Sequence, residues 1–236
     1  MLQIWSLLAI FFAVQTAGDT SVEITVVQRL NLLEDDVYFP INLHLSSLTR
    51  LFETLITNFT NYDFDANGII ETHLENVQED VDTISQALEE YQIDMTDCLE
   101  NLAENLDQTR RRSAEEIKDE IVKGVEMGQK VISNVREVFM MAQNKTVEIK
   151  LEVQNCLSLL DDTDCLMEAL GKIHLLQHIL PLVIDSAEQQ HQMQLAAVED
   201  DVIGALEKIV SKALNIYVEL LDDFLICTLQ SLNTFL

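Results

Sequence analysis

The chain has 236 residues, 48% of them hydrophobic, enough to bury a substantial core and too many for a disordered polymer. Its 41 acidic residues against 14 basic give a formal net charge of -27, which argues against binding to nucleic acid or to anionic membranes, since both draw on Lys and Arg. Six Gly and two Pro leave little turn material for an all-β protein, so helix is the expectation.

The chain opens with "MLQIWSLLAIFFAVQTAGDT", an apolar run from Ile4 to Val14 followed by small and polar residues. This reads as a secretory signal over residues 1–18, cleaved after Ala17 or Gly18. The run is shorter than the ~20 residues that span a bilayer, and no later uncharged stretch is long enough either. The tail "FLICTLQSLNTFL" lacks a lipid-anchor signal. A secreted, extracellular product without a stable membrane anchor is expected.

Residues 19–41 include "SVEITVVQRL", whose β-branched residues suit a strand or an N-terminal arm of uncertain structure. From residue 42 an amphipathic pattern begins, with Leu45, Leu48, Leu51, Phe52, Leu55 and Ile56 on one side, and it opens a helical-bundle domain over 42–236. "DFDANGIIETHLE" then follows most of the calcium-loop pattern, offering Asp63, Asp65, Asn67 and Glu71 as ligands. The twelfth position is Leu74 where the loop needs a bidentate Glu, so this is at most a weak calcium candidate. A polar turn ahead of a helix is the reading preferred for these residues, because Asn-Gly and Asp favour turns. No other metal site is expected.

Apolar residues next recur at Ile70, Leu74, Val77, Val81, Ile84, Leu88, Tyr91, Met95, Cys98 and Leu102, alternating steps of four and three. That heptad seam predicts a helix from Ile70 to about Arg110, on the order of 60 Å long at ~1.5 Å per residue. Arg110, Arg111 and Arg112 suit the end of a helix, and Ser113 with Glu116 makes a capping-box pattern, so a corner is expected there. An uninterrupted helix is the alternative. Beyond it, Gly124 and Gly128 interrupt an apolar stripe at positions where another helix could approach closely.

"LSLLDDTD" between Cys156 and Cys165 predicts a helical hairpin corner at Asp161 to Asp164. The next helix is expected to bend near Pro181, and a last one to carry a stripe from Leu195 to Cys227. Four Cys permit three pairings. The preferred one joins Cys156 to Cys165 and Cys98 to Cys227; Cys98 with Cys156 and Cys165 with Cys227 is the alternative. Sequons at Asn58 and Asn144 are the expected glycosylation sites, in keeping with export.

His174 and His178 share a helical face but lack a third ligand. No nucleotide loop, nucleophile elbow or catalytic Cys–His signature is present, so no catalytic residue and no cofactor are expected. "HLLQHILPLVI" and "YVELLDDFLICTLQSL" carry more apolar residues than a surface helix needs, which fits core or the lining of an apolar-ligand cavity.

Tyr91 with Cys98-Leu99, then Cys156, Cys165 and Cys227, make the span Glu89 to Leu229 resemble an insect secreted four-cysteine family that includes the N-terminal domain of the tsetse EP protein. The resemblance implies an extracellular protein of gut or body fluid without an established chemistry. The expectation is an all-α, elongated antiparallel bundle of coiled-coil-like helices, disulfide-linked and non-enzymatic. Its partner would be an extracellular protein or other macromolecule, the alternative being a carrier of lipid or a small apolar ligand. The long heptad seams also suit self-association.

Overall fold

The computed structural model describes the backbone of residues 2–158 and 163–235 and the side chains of residues 21–158 and 163–232. The side chains of the expected signal segment lie outside the described residues, as do Asp161 and Asp162 of the expected hairpin corner. The fold is all-α, with three long helices: α1 (Leu2–Glu89), α2 (Thr96–Ser158) and α3 (Thr163–Phe235). Among the described residues there is no strand.

Packing divides the chain into two compact units, each built from a part of all three helices. The first comprises Met1–Leu51 and Lys130–Gln194. Its direction of assembly follows from its pairs: Lys150 donates to Glu34 at 2.7 Å, and Gln177 donates to the Arg29 carbonyl at 3.3 Å. His44 packs on Phe139 and faces Asp185. Along α1, partners on α2 therefore fall in number while those on α3 rise, so α2 is antiparallel to α1 and α3 parallel to it. Val26, Leu30, Leu33, Val37, Ile41 and Leu48 form the α1 side of its core. The β-branched residues of "SVEITVVQRL" therefore serve a helix, not a strand or separate arm, because burial along one helical stripe outweighs their weak preference for strands.

Pro40 and Pro181 lie inside helices, so α3 continues past Pro181 as one helix in place of two and the bundle does not begin at residue 42. Each lies one turn before a member of the His44–Asp185 pair, so both missing amide donors fall at one level of this unit. Buried neighbours on either side, Val37 and Ile41 on α1 and Leu180 and Ile184 on α3, continue the helical stripe past them.

The second unit comprises Phe52–Gln129 and Leu195–Leu236, with the same up–down–up order. Leu55, Phe59, Ile70, Leu74 and Val77 of α1 pack with Leu102, Leu106 and Ile117 of α2 and Val202, Leu206, Ala213 and Tyr217 of α3. The heptad seam is broken here, in contrast to the expected Ile70–Arg110 helix. At its break the Gln92 amide bonds the Glu89 carbonyl at 2.9 Å and the Ile93 amide bonds the Leu88 carbonyl at 3.3 Å. This pair is a Schellman cap, completed by buried Leu88 and Ile93 and by a left-handed Gln92 (φ 58°). Asp94 then caps α2, accepting from the Thr96 amide at 3.0 Å and its hydroxyl at 2.8 Å. Because Gln92 pays for a conformation that glycine adopts freely, Gln92→Gly is expected to stabilise the fold by about 0.5–1 kcal/mol, measured by thermal melting.

No corner interrupts α2 at Arg110–Ser113. Ser113 is buried, and Glu116 reaches Arg112 on its own helix and Lys212 on α3, both at 3.0 Å, instead of closing a capping box. Arg110 and Arg111 bind Asp107 at 2.8 and 2.7 Å. In this chain the basic cluster neutralises acidic neighbours along a continuous helix.

Candidate functional site

Both preferred disulfides are present, Cys98–Cys227 and Cys156–Cys165, so no free thiol remains. The first joins the start of α2 to the end of α3, and the second closes the α2–α3 hairpin.

The calcium-loop residues occupy the middle of α1, which corrects both the loop and the preferred turn. On a continuous helix Asp63, Asn67 and Glu71 share a face while Asp65 points elsewhere, so the four cannot surround one ion. Asn67 instead donates to the Asp63 carboxylate at 2.9 Å, and Glu71 lies 3.6 Å from Arg110. No group of three or more His, Cys, Asp or Glu among the described residues is arranged to hold a metal. Millimolar calcium is expected to leave the melting temperature unchanged. A rise that disappears in Asp63→Ala would contradict this arrangement.

His174 and His178 are exposed on α3. The two sequons differ in setting: Asn144 is exposed on α2, whereas the Asn58 side-chain amide donates to Glu199 at 2.7 Å and is half-buried. His44 is half-buried in the first unit, its Nδ1 paired with Glu188 and its Nε2 3.4 Å from Asp185. It clamps α1 to α3.

Tyr217 is fully buried and stacks on His73 with ring centroids 6.2 Å apart, and its hydroxyl has no hydrogen-bond partner among the described residues. Burial, reinforced by the Glu71 charge and opposed by Arg110, pushes its phenol up to about 12. The folded-state value is thus raised above the unfolded one of about 10. The associated stability is present below pH 10 and is lost as pH rises from about 10 toward 12. Tyr217→Phe removes the unpaired hydroxyl and should leave stability equal or higher by up to about 1 kcal/mol at neutral pH, with the alkaline loss reduced.

A concave apolar surface lies in the second unit between α1 and α3. It is an open groove of about 400 Å³ whose floor includes Ala66 and Ile69 of α1 and Leu206, Val210 and Leu214 of α3. Tyr62, Asp65 and Glu207 border it. The Tyr62 hydroxyl donates to Glu199 at 2.9 Å, to the oxygen that also accepts from Asn58. That bond, with burial and the charges of Glu199 and Asp200, raises the Tyr62 phenol above its ordinary value. Ile69 remains 51% exposed, and Phe64 nearby 78%.

The sequence stripe through Val202, Ile209 and Ala213 is buried, but a second one at Ile203, Val210 and Leu214 lies beside it and faces the groove. The signal that points to it is the width of the apolar face: two adjacent stripes exceed what one packing seam uses. "HLLQHILPLVI" behaves alike in the first unit, where Ile179, Leu182 and Val183 line a hollow of about 440 Å³. Among the described residues no helix is long and apolar enough to cross a membrane. Comparison of the chain with known protein families, curated proteins and solved structures finds no match.

Proposed function

We propose that this is a secreted, acidic helical glycoprotein that acts without catalysis, by binding another macromolecule outside the cell. The observation that carries the reading is the open apolar groove between α1 and α3, where Ile69 keeps half its surface in water within a unit that already has a core. The two disulfides and the sequons are in keeping with an oxidising, extracellular setting. The resemblance to the insect secreted four-cysteine family points the same way.

A second reading, a carrier of lipid or a small apolar ligand, is favoured by the groove volume of about 400 Å³, which falls in the range of small-molecule sites. Native mass spectrometry of the secreted, deglycosylated and unreduced protein separates the two. A mass equal to the chain from Gly18 or Asp19 onward less four protons, raised by about one mass unit for each glycan-bearing Asn converted to Asp, supports the macromolecular reading. Added mass that organic solvent removes would instead establish the carrier. A chain retaining residues 1–18 would defeat secretion by a cleaved signal.

A further inference from the structure

We propose that the α1–α3 groove of the second unit receives a basic amphipathic helix of a partner protein. This rests on the macromolecular-binding reading above and names the partner's chemistry. The groove floor follows α3 from Ile203 to Asn215, roughly 18 Å at ~1.5 Å per residue, which matches three turns of a helix laid alongside. Its walls are two parallel helices, so an added helix would find the ridges and grooves that helix packing uses, with anchors repeating every three or four residues.

Charge selects the occupant. From Leu51 to Glu89 the α1 sequence contains acidic residues and not one Lys or Arg. Asp65 of α1 and Glu207 of α3 both line the groove. On α3, Lys212 is drawn toward α2 by Glu116, and Lys208 stands one turn before it on the same side. A neutral apolar occupant would strip water from Asp65 and Glu207 and give nothing in return. A second copy of this chain would bring a further net charge of -27. A helix with Leu-like anchors and flanking Lys or Arg fills the floor while its long basic side chains reach the two carboxylates.

The test uses the full secreted chain with disulfides intact and three fluorescein-labelled peptides of ~18 residues, read by fluorescence anisotropy. One peptide is a basic amphipathic helix of Leu and Lys; the second has the same composition scrambled to remove the apolar face; the third replaces Lys by Glu. The first should bind saturably and more tightly than either other peptide. Ile69→Gln and Val210→Gln, on positions that are not fully buried, should each weaken it about tenfold while circular dichroism stays unchanged. Asp65→Asn with Glu207→Gln should weaken it several-fold and flatten its salt dependence. Equal binding of the scrambled peptide, undiminished binding to the Ile69 and Val210 variants, or no binding of the first peptide overturns the proposal. Displacement of the first peptide by a neutral fluorescent lipid also overturns it, in favour of a small-ligand site. If the peptides fail while the native mass carries no apolar ligand, macromolecular binding stands and only this partner chemistry falls.

Discussion

Replacing Cys98 and Cys227 together by alanine is expected to lower stability by about 4–5 kcal/mol, whereas the same change at Cys156 and Cys165 costs about 2–3 kcal/mol. The difference comes from the unfolded chain. Cys98 and Cys227 are 129 residues apart in sequence, so their bond removes a great deal of loop freedom, while Cys156 and Cys165 are only 9 apart. Cys156 and Cys165 also flank a hairpin whose ends are held close by the packing of α2 on α3, including Lys172 on Glu152 at 2.6 Å. The 129-residue separation counts against the fully unfolded chain, so the difference should appear in the overall free energy of urea unfolding. Far-ultraviolet circular dichroism is the suitable probe, because the single tryptophan, Trp5, falls in the expected signal segment. Equal shifts for the two double variants, or a larger one for Cys156 and Cys165, would contradict the loop-entropy account.

Which residues face inward is written in the sequence more clearly than where the backbone turns. The stripe from Ile70 to Val81 is buried as its spacing predicts, and so are Leu195, Val198, Val202, Ile209 and Ala213, with Leu206 buried where the spacing points to Ala205. The spacing fails at Tyr91, which is 67% exposed although it stands on the seam. Ile93 and Met95 are buried in or beside the reversal itself, so apolar spacing passes through the turn unmarked. With Gln92 in place of a glycine, the Schellman cap also lacks its usual sequence sign. At Ser113 the opposite happens: a complete capping-box pattern stands where burial of Ser113 and the bond of Glu116 to Lys212 hold the helix continuous. Local signals of about 1 kcal/mol each yield to an apolar stripe that buries many side chains. The groove was legible only as excess apolar width, since whether a second stripe is covered depends on the angle at which α1 and α3 meet.

The five described glycines with a resolved surrounding should divide by sign when changed to alanine. A Cβ on Gly124 would lie 2.5 Å from Val202 Cγ2 and 2.8 Å from Phe59 Cε2, inside normal contact on both α1 and α3 at once. Val202 is stiff at χ1, and both it and Phe59 are almost wholly buried, so neither can step aside. Even after the helix-propensity gain of about 1 kcal/mol, Gly124→Ala is expected to lose about 2 kcal/mol. Gly128 meets Phe52 Cε2 at 2.6 Å, but Phe52 is only half-buried and its ring has room to turn, so Gly128→Ala should lose about 1 kcal/mol. Among the described residues nothing stands within 4 Å of a Cβ at Gly68, Gly171 or Gly204, and none of the three has positive φ. Each of those substitutions should therefore gain about 1 kcal/mol from helix propensity and reduced unfolded-chain freedom. Gly68 carries the sharpest consequence. In a calcium loop it would be the sixth residue, at a sharp turn that demands glycine, and alanine there would destabilise. In the middle of α1 the same change stabilises, so the sign of one melting-temperature shift decides between a loop and a helix at Asp63–Glu75.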